Sequence, residues 1–214
     1  MEIKLQQVLP FPLKEARRNR ASDIWLKELL FTPGARIHIK APSGTGKSTL
    51  IHSLYGLRHD YDGNISFREH DPREADGETW AKWRQQDLSI VFQDLRLFSQ
   101  LTALENIQIK NQLTNHYPTE KIHTIAAQLG IEDKLDQSCG TLSYGEQQRV
   151  AIIRALMQPF VWILLDEPFS HLDEQNIRKA ANLIGSEAGQ RQAGIIIVDL
   201  EDDNRFDYTM KLSL

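Results

Sequence analysis

Ala41-Pro42-Ser43-Gly44-Thr45-Gly46-Lys47-Ser48-Thr49 is the stretch that decides the fold, because it joins a strand pattern to a helix pattern through a glycine-rich turn. Residues 36–41 alternate apolar and polar side chains, which predicts a strand. From Ser48 onward apolar residues return at helical spacing. A strand, a glycine turn and a helix in this order predict a parallel α/β unit.

The turn has the chemistry of a phosphate site. Glycines let backbone N–H groups face an anion, and the helix that follows adds unpaired N–H groups and its positive end. Lys47 can reach β- and γ-phosphate oxygens, and the Ser48 hydroxyl can bind Mg²⁺. The usual spacing has glycine where Ala41 stands, and alanine fits if that position needs no positive φ. A plain helix-capping loop is the alternative. We predict that phosphates are bound by Ser43, Gly44, Thr45, Gly46, Lys47, Ser48 and Thr49.

A second segment supplies acidic groups. The apolar run 161–165 ends at Asp166 and Glu167, and Pro168 follows them. We predict that Asp166 holds Mg²⁺ and that Glu167 polarises a water for in-line attack. The alternative is a buried strand whose acids cap the next turn. A buried strand needs no such pair, and the proline favours a turn in which both acids face a cleft.

Composition and length narrow the number of domains, the class of partner and the cellular compartment. The chain has 214 residues, close to one domain of roughly 150 with an insertion. Its net charge of -4 argues against a nucleic-acid partner. Apolar runs fall far short of the ~18 residues of a membrane span, no secretory signal is visible, and Cys139 stands alone. We therefore expect a cytoplasmic protein without disulfides.

The chain reads as a single domain over residues 1–214. The runs 161–165 and 195–198 predict buried parallel strands, while Lys121–Leu129 carries the stripe of an amphipathic helix. We expect an α/β core over 1–93 and 159–214, with a helical subdomain over about 94–158.

The segment Leu142-Ser143-Tyr144-Gly145-Glu146-Gln147-Gln148-Arg149 resembles the signature of ATP-binding cassette (ABC) ATPases. The order of parts is also similar: phosphate loop, Gln93 after a strand, signature, acidic strand, and then Ser170-His171-Leu172-Asp173, which resembles the family's D-loop. Residues 92–98 and 101–107 look most like the lipoprotein-release, macrolide-export and cell-division branch.

This resemblance implies a P-loop NTPase of ABC type. Its core is a RecA-like, mostly parallel sheet with an inserted helical subdomain and an N-terminal antiparallel β part. It further implies a subunit that uses ATP and Mg²⁺, dimerises with a like or unlike ABC subunit, and powers membrane-spanning permease subunits from the inner face of the membrane. The permease contact is expected between Gln93 and Asn106, although Leu95, Leu97 and Phe98 there are equally able to fill the subdomain core.

Family resemblance also assigns roles to single residues. Gln93 would contact Mg²⁺ or the attacking water, although it also fits a solvated strand end. Ser143 and Gly145 would approach the γ-phosphate held by the partner subunit, with Asp173 beside them. A plain helix cap is the alternative for Ser143.

Two positions depart from the family pattern. Tyr144 replaces a glycine where the partner's nucleotide should approach, so its ring either stacks on ribose or points away. Asp199 stands where the family has a histidine that contacts the γ-phosphate, and no histidine follows His171. A carboxylate ~4 Å from a phosphate oxygen is repelled by ~4 kcal/mol at an effective dielectric of 20. Slow hydrolysis is the resulting hypothesis.

The adenine contact stays open between two aromatic residues. Phe11 lies at a plausible distance before the loop, with stacking and plain packing equally favoured. Trp25 is its rival, although Ile24-Trp25-Leu26 also looks like a core strand. The basic cluster Lys14–Arg20 fits a solvated loop better than a binding patch.

Three other functional classes remain to be weighed. Asp199 and Tyr144 favour a degenerate, non-hydrolysing partner with a regulatory role. It is opposed by the intact residues Lys47, Ser48, Asp166 and Glu167. A DNA- or ribosome-acting relative would need a long insertion or two cassettes. A small-molecule kinase would have no use for residues 142–146 ahead of an acidic strand.

Overall fold

A computed structural model of the chain describes residues 1–14 and 21–214. The strands are β1 Ile3–Pro10, β2 Glu28–Phe31, β3 Arg36–Lys40, β4 Tyr61–Phe67, β5 Leu88–Val91, β6 Trp162–Asp166, β7 Gly194–Asp199 and β8 Met210–Ser213. The helices are α1 Lys47–Leu54, α2 Gly77–Gln86, α3 Ala103–Asn111, α4 Thr119–Gln128, α5 Tyr144–Leu156 and α6 Glu174–Arg191. Most of the basic cluster Lys14–Arg20, namely residues 15–20, lies outside the described part.

Two sheets form the framework. Five strands pair in parallel in the order β5-β6-β7-β3-β8, and three pair antiparallel in the order β2-β1-β4. Both the mostly parallel core and the N-terminal antiparallel part are thereby confirmed. Because β3, β5, β6 and β7 are parallel, their carboxyl ends meet at one edge of the sheet, where ligands bind in open α/β sheets.

The parallel sheet is buried on both faces, as its Val/Ile-rich strands predict. Ile163 and Ile195 pack on one face with the helices α3 to α6, while Leu164 and Ile196 pack on the other with α1 and the antiparallel sheet. All four side chains have no exposed surface. Apolar runs without alternation are what a sheet covered on both faces requires.

Helices dominate the segment between β5 and β6. In α4, the predicted stripe of Ile122, Ile125, Ala126 and Leu129 is buried. These side chains belong to the same apolar cluster as one face of the parallel sheet. The helical segment is thus packed continuously onto the core, and its limits at about 94 and 158 stay a prediction.

Two local features differ from the sequence expectations. Ile24-Trp25-Leu26 is a turn and the strand interpretation is wrong, because Ser22 Oγ accepts hydrogen bonds from the backbone N–H groups of Ile24 and Trp25 at 3.1 and 3.0 Å. Helix α2 was not anticipated, since Trp80 is its only buried residue. Asp76 caps it by accepting from Thr79 N at 2.8 Å.

In the part of the chain that the structure describes, no helix is long and apolar enough to cross a membrane.

Candidate nucleotide site

The glycine-rich loop adopts the conformation that its sequence predicts. Gly44 and Gly46 have positive φ angles of 77° and 105°, and α1 begins directly afterwards at Lys47. A Cβ on Gly46 would lie 2.7 Å from Leu13 Cδ1 and 3.1 Å from Trp25 Cζ2. Position 46 therefore requires glycine both for its backbone angle and for the space beneath it.

Ala41 fits the position of the missing glycine. Its φ is not among the positive ones, and its backbone N–H donates to the Asp199 carbonyl at 2.9 Å. The side chain is fully buried. The methyl group therefore replaces glycine without backbone strain, as expected if no left-handed angle is needed there.

Lys47 and Glu167 form a buried ion pair in this cleft. Lys47 Nζ lies 2.7 Å from Glu167 Oε1, and both side chains are less than a tenth exposed. Glu167 has a positive φ of 47°, an uncommon angle for a side chain of this size. Its backbone N–H donates to the Val198 carbonyl at 3.0 Å, which ties this turn to β7.

Asp166 lies behind the pair at the end of β6. The residue is 1% exposed. Burial raises the pKa of its carboxyl to about 6, and the negative charge of Glu167 acts in the same direction. A hydrogen bond from Ser48 acts in the opposite direction and lowers the pKa. Its Oδ1 has no hydrogen-bond partner among the described residues. A buried carboxylate oxygen without a partner needs an external ligand, and with the Ser48 hydroxyl it forms the oxygen-rich set that Mg²⁺ prefers.

The structure brings most of the predicted phosphate residues to one cleft. Thr45 is an exception, because its hydroxyl donates to the Pro42 carbonyl at 2.7 Å. Leu13, which sequence analysis did not single out, is part of the wall. The lining residues are Leu13, Ser43, Gly44, Gly46, Lys47, Ser48, Thr49, Gln93 and Glu167.

Neither aromatic candidate for adenine lines the cleft. Trp25 is 3% exposed beneath Gly46, and its Nε1 donates to the Thr45 carbonyl at 3.2 Å, so its ring offers no open face to a base. The Phe11 ring is 49% exposed, with Lys14 Nζ 4.1 Å from its centroid. Trp25 thus supports the loop from below, and Phe11 remains the open candidate.

Ser143, Gly145 and Asp173 lie on segments apart from this cleft. Ser143 caps α5 and shares a capping box with Glu146, while Asp173 caps α6 by accepting from Asn176 N at 2.8 Å. A Cβ on Gly145 would lie 2.9 Å from the His171 carbonyl oxygen, so α5 approaches the 170–173 segment closely. The helix-cap alternative for Ser143 is therefore realised, Asp173 is a helix cap as well, and nucleotide contact by these residues stays a prediction.

Tyr144 turns toward its own chain. Its hydroxyl donates to the Gln93 carbonyl at 3.2 Å, and its ring packs edge-on against His171 with centroids 4.2 Å apart. His171 N in turn donates to Gln148 Oε1 at 3.1 Å, and Gln148 Nε2 donates to the Glu167 carbonyl at 3.3 Å. These contacts join the start of α5, where the segment that resembles the ABC signature lies, to Gln93 and to the turn at Glu167.

Asp199 ends β7 next to the acidic turn. Its Oδ1 accepts from Leu200 N at 2.7 Å. Burial raises the pKa of the Asp199 carboxyl, and the negative charge of Glu167 adds to the effect. Asp199 is not among the residues that line the cleft, so its contact with a nucleotide stays a prediction.

Comparison with known proteins agrees with this geometry. The sequence profile of the family described as ABC transporter matches residues 27–170, which is more than half of the chain. The lipoprotein-releasing system ATP-binding protein LolD of Legionella pneumophila (strain Paris) is 35% identical over 174 residues, covering 80% of this chain and 77% of that protein. The phosphonates import ATP-binding protein PhnC of Rhizobium johnstonii is 34% identical over 185 residues, covering 80% and 65%.

A longer relative and a solved structure also match this chain. An uncharacterized ABC transporter ATP-binding protein of Mycobacterium tuberculosis is 32% identical over 176 residues, so the match covers 81% of this chain and about half, 52%, of that relative. The solved dimeric structure of MJ0796, a bacterial ABC transporter cassette, aligns with a TM-score of 0.80 at 25% identity, covering 93% of this chain and 88% of that one. The geometry of the cleft, the match to the family profile and the likeness to the solved cassette agree. The chain belongs to the ABC transporter family, as an ATP-binding cassette.

Proposed function

We propose that the chain is an ATP-binding and ATP-hydrolysing subunit of a membrane transporter or mechanical membrane complex. The observation that carries the proposal is the convergence of Lys47, Glu167 and the unpartnered Asp166 oxygen at the glycine-rich loop. Lys47 and the backbone N–H groups of the loop bind the phosphates. Glu167 accepts a proton from the attacking water once the phosphates have drawn Lys47 away from it.

Magnesium belongs to the same site. Ser48, Asp166 and Gln93 would hold the ion, which when bound neutralises charge on the β- and γ-phosphates. The Ser48 hydroxyl stands in the first turn of α1, and its hydrogen bond lowers the pKa of the Asp166 carboxyl, which is consistent with both residues serving one ion.

Dimerisation would complete the site. Ser143 and Gly145 at the start of α5 offer a helix N-terminus to a nucleotide held by a second ABC subunit, with Asp173 close by. Cycles of closing on ATP and opening after hydrolysis would drive membrane-spanning permease subunits at the inner face of the membrane. The dimeric solved relative supports this arrangement.

Measurements of MgATP binding and of phosphate release test the proposal directly. Calorimetry with MgATP should show saturable binding that Lys47→Ala abolishes and that Lys82→Ala, on the exposed face of α2, retains. Phosphate release should require Mg²⁺. Absence of any affinity for ATP or ADP in the folded wild-type protein would refute the proposal.

A second function is favoured by one observation, the carboxylate of Asp199 beside the acidic turn. In that case the chain is a slow or non-hydrolysing partner that completes a heterodimer. Tight MgATP binding without turnover would support this second function over the first.

A further inference from the structure

One histidine is buried inside the parallel sheet. His38 lies in the middle of β3, between β7 and β8, and is 1% exposed. Burial lowers the pKa of its imidazole, although a hydrogen bond with the backbone at Glu201 acts in the opposite direction. The Nε2 atom of the ring has no hydrogen-bond partner among the described residues. A buried polar atom without a partner is uncommon in proteins, and it marks a group that is able to accept one.

The strand register places His38 beside the Asp199 carboxylate. In the parallel pairing of β3 with β7, His38 lies opposite Ile197. Side chains alternate along a strand, so Asp199, two residues beyond Ile197, shares its face. His38 lies on this face as well, because the neighbouring Ile37 packs on the other one. Such diagonal neighbours have Cβ atoms roughly 8 Å apart, a gap that an imidazole and a carboxylate can close by turning toward each other.

Asp203, in the segment between β7 and β8, is a second carboxylate close to His38. It is 2% exposed, and its hydrogen bonds are already formed. Its Oδ1 accepts from Arg205 Nη1 at 2.8 Å, and its Oδ2 accepts from the Tyr208 hydroxyl. The Tyr208 ring in turn packs on the His38 ring with centroids 5.3 Å apart. Asp203 therefore fixes the ring that covers His38, while Arg205 balances its charge.

The two lysines on this side of the sheet are engaged as well. Lys40 lies opposite Asp199, but its Nζ is 2.6 Å from Asp202 Oδ2. Lys211, on β8, donates to the Asp203 carbonyl at 3.0 Å. The Asp199 side chain accepts from the next backbone N–H at 2.7 Å and has no ion-pair partner in the described part of the chain. Asp199 is thus the carboxylate whose charge is left uncompensated.

Asp199 adjoins the nucleotide site. Its carbonyl accepts from the N–H of Ala41, where the phosphate loop begins, at 2.9 Å. The preceding carbonyl, that of Val198, accepts from the N–H of Glu167, and the Glu167 charge raises the pKa of the Asp199 carboxyl in addition to burial. A triphosphate bound at the loop would bring more negative charge toward this carboxylate. Coulomb repulsion would then favour a nearby cation.

We propose that His38 is a positioning residue for the nucleotide-bound state: its imidazole takes up one proton from solvent and pairs with the Asp199 carboxylate, which offsets that charge against the phosphates. The inference rests on the proposed function and deepens it, because it explains how a carboxylate is tolerated at position 199. His38 acts through Asp199 and touches neither nucleotide nor metal. ATP binding is thereby coupled to proton uptake.

Calorimetry counts the protons. Binding of a non-hydrolysable MgATP analogue to the full chain is measured at pH 6.5 in two buffers of different ionisation enthalpy. If binding raises the pKa of His38 by about one unit, the wild type takes up about half a proton more than His38→Gln, whose side chain cannot titrate. His123→Gln is the matched control, because this histidine is exposed on α4, and it should keep the wild-type number.

Asp199→Asn gives a second, independent variant. It should lose the same proton uptake as His38→Gln, because no carboxylate is left to stabilise the charged imidazole, and the double variant should lose no more than either. Analogue binding on the same samples shows that each variant is folded. An unchanged proton count in His38→Gln overturns the proposal, since the proton then enters another group.

The pH profile of turnover separates this role from a merely structural one. At pH 8 His38 is uncharged and the repulsion by Asp199 is complete, so Asp199→Asn should raise phosphate release several-fold more at pH 8 than at pH 6. In the His38→Gln background the gain should be equal at both pH values. A gain that is independent of pH in the wild-type background contradicts the proposal.

The outcomes distinguish this inference from the proposed function. Saturable analogue binding without proton uptake overturns the role of His38 alone and leaves the proposed function standing. Absence of analogue binding by the folded wild type overturns both.

Discussion

Lys47 Nζ and Glu167 Oε1 lie 2.7 Å apart, so the cation expected to bind phosphate is neutralised by the carboxylate expected to activate water. Both groups are buried, and each compensates the other's charge. Phosphate binding and activation of Glu167 are therefore linked, since an incoming triphosphate competes with Glu167 for Lys47.

Glu167→Gln tests this competition. Without the carboxylate, Lys47 is free for the phosphates, so MgATP affinity should rise about tenfold, equivalent to 1.4 kcal/mol. Turnover should fall by roughly 10²–10⁴-fold because the general base is lost. Calorimetry and phosphate release measure the two effects. Glu78→Gln, in the exposed pair with Lys82, should change neither; weaker ATP binding in Glu167→Gln would contradict the competition.

Asp166 should make stability depend on pH when no metal is present. Its folded-state pKa of about 6 exceeds the ordinary value of 3.8 for an Asp carboxyl, so the folded state holds the proton to higher pH. The free energy of unfolding should therefore fall as pH rises from about 4 to 6 and stay lower above it. Urea unfolding in EDTA should show Asp166→Asn gaining up to about 3 kcal/mol relative to the wild type across this range. Asp136→Asn, at an exposed position, should show no such gain.

Tyr144 should affect dimerisation through its hydroxyl. Tyr144→Phe loses the bond to the Gln93 carbonyl, worth about 1 kcal/mol, and releases the ring toward the start of α5. In the Glu167→Gln background with MgATP, sedimentation should show about fivefold weaker dimerisation. Tyr144→Gly, which removes the ring, should dimerise at least as well as Tyr144. Unchanged dimerisation of Tyr144→Phe would show that the hydroxyl does not hold the ring aside.

Asp199 should limit turnover by its charge. Replacing it with Asn removes the repulsion of the γ-phosphate, and we expect the rate of phosphate release to rise about tenfold at saturating MgATP. Asp199→His should raise it further by supplying a hydrogen-bond donor. Vigorous wild-type hydrolysis that neither substitution changes would refute the hypothesis of slow hydrolysis.

Trp25 should stabilise the phosphate loop from below. Trp25→Phe loses the hydrogen bond to the Thr45 carbonyl and should cost about 1 kcal/mol of unfolding free energy. Trp25→Ala leaves a cavity under Gly46, with an expected cost of about 3–5 kcal/mol and weaker ATP binding. Urea unfolding gives the first quantity and calorimetry the second. Equal stability of all three proteins would rule out a supporting role.

The local sequence pattern was enough to predict the glycine-rich loop and the buried strands that carry the functional side chains. The glycines at 44 and 46 can only serve a turn with positive φ, and apolar runs such as 161–165 can only be satisfied inside a sheet covered on both faces. Helix α2 escaped prediction because Trp80 alone is buried, which gives no stripe to recognise. The segment 24–26 was misread because a turn held by the Ser22 hydroxyl carries the same apolar side chains as a strand.

By itself, the sequence determined the parallel α/β core, the phosphate loop and the acidic pair, because each depends on residue types at short spacing along the chain. Only the tertiary structure decided that Lys47 pairs with Glu167, that Tyr144 reaches Gln93, and that Trp25 underlies Gly46. These contacts join side chains from distant segments, and their partners are set by packing geometry that no local pattern encodes.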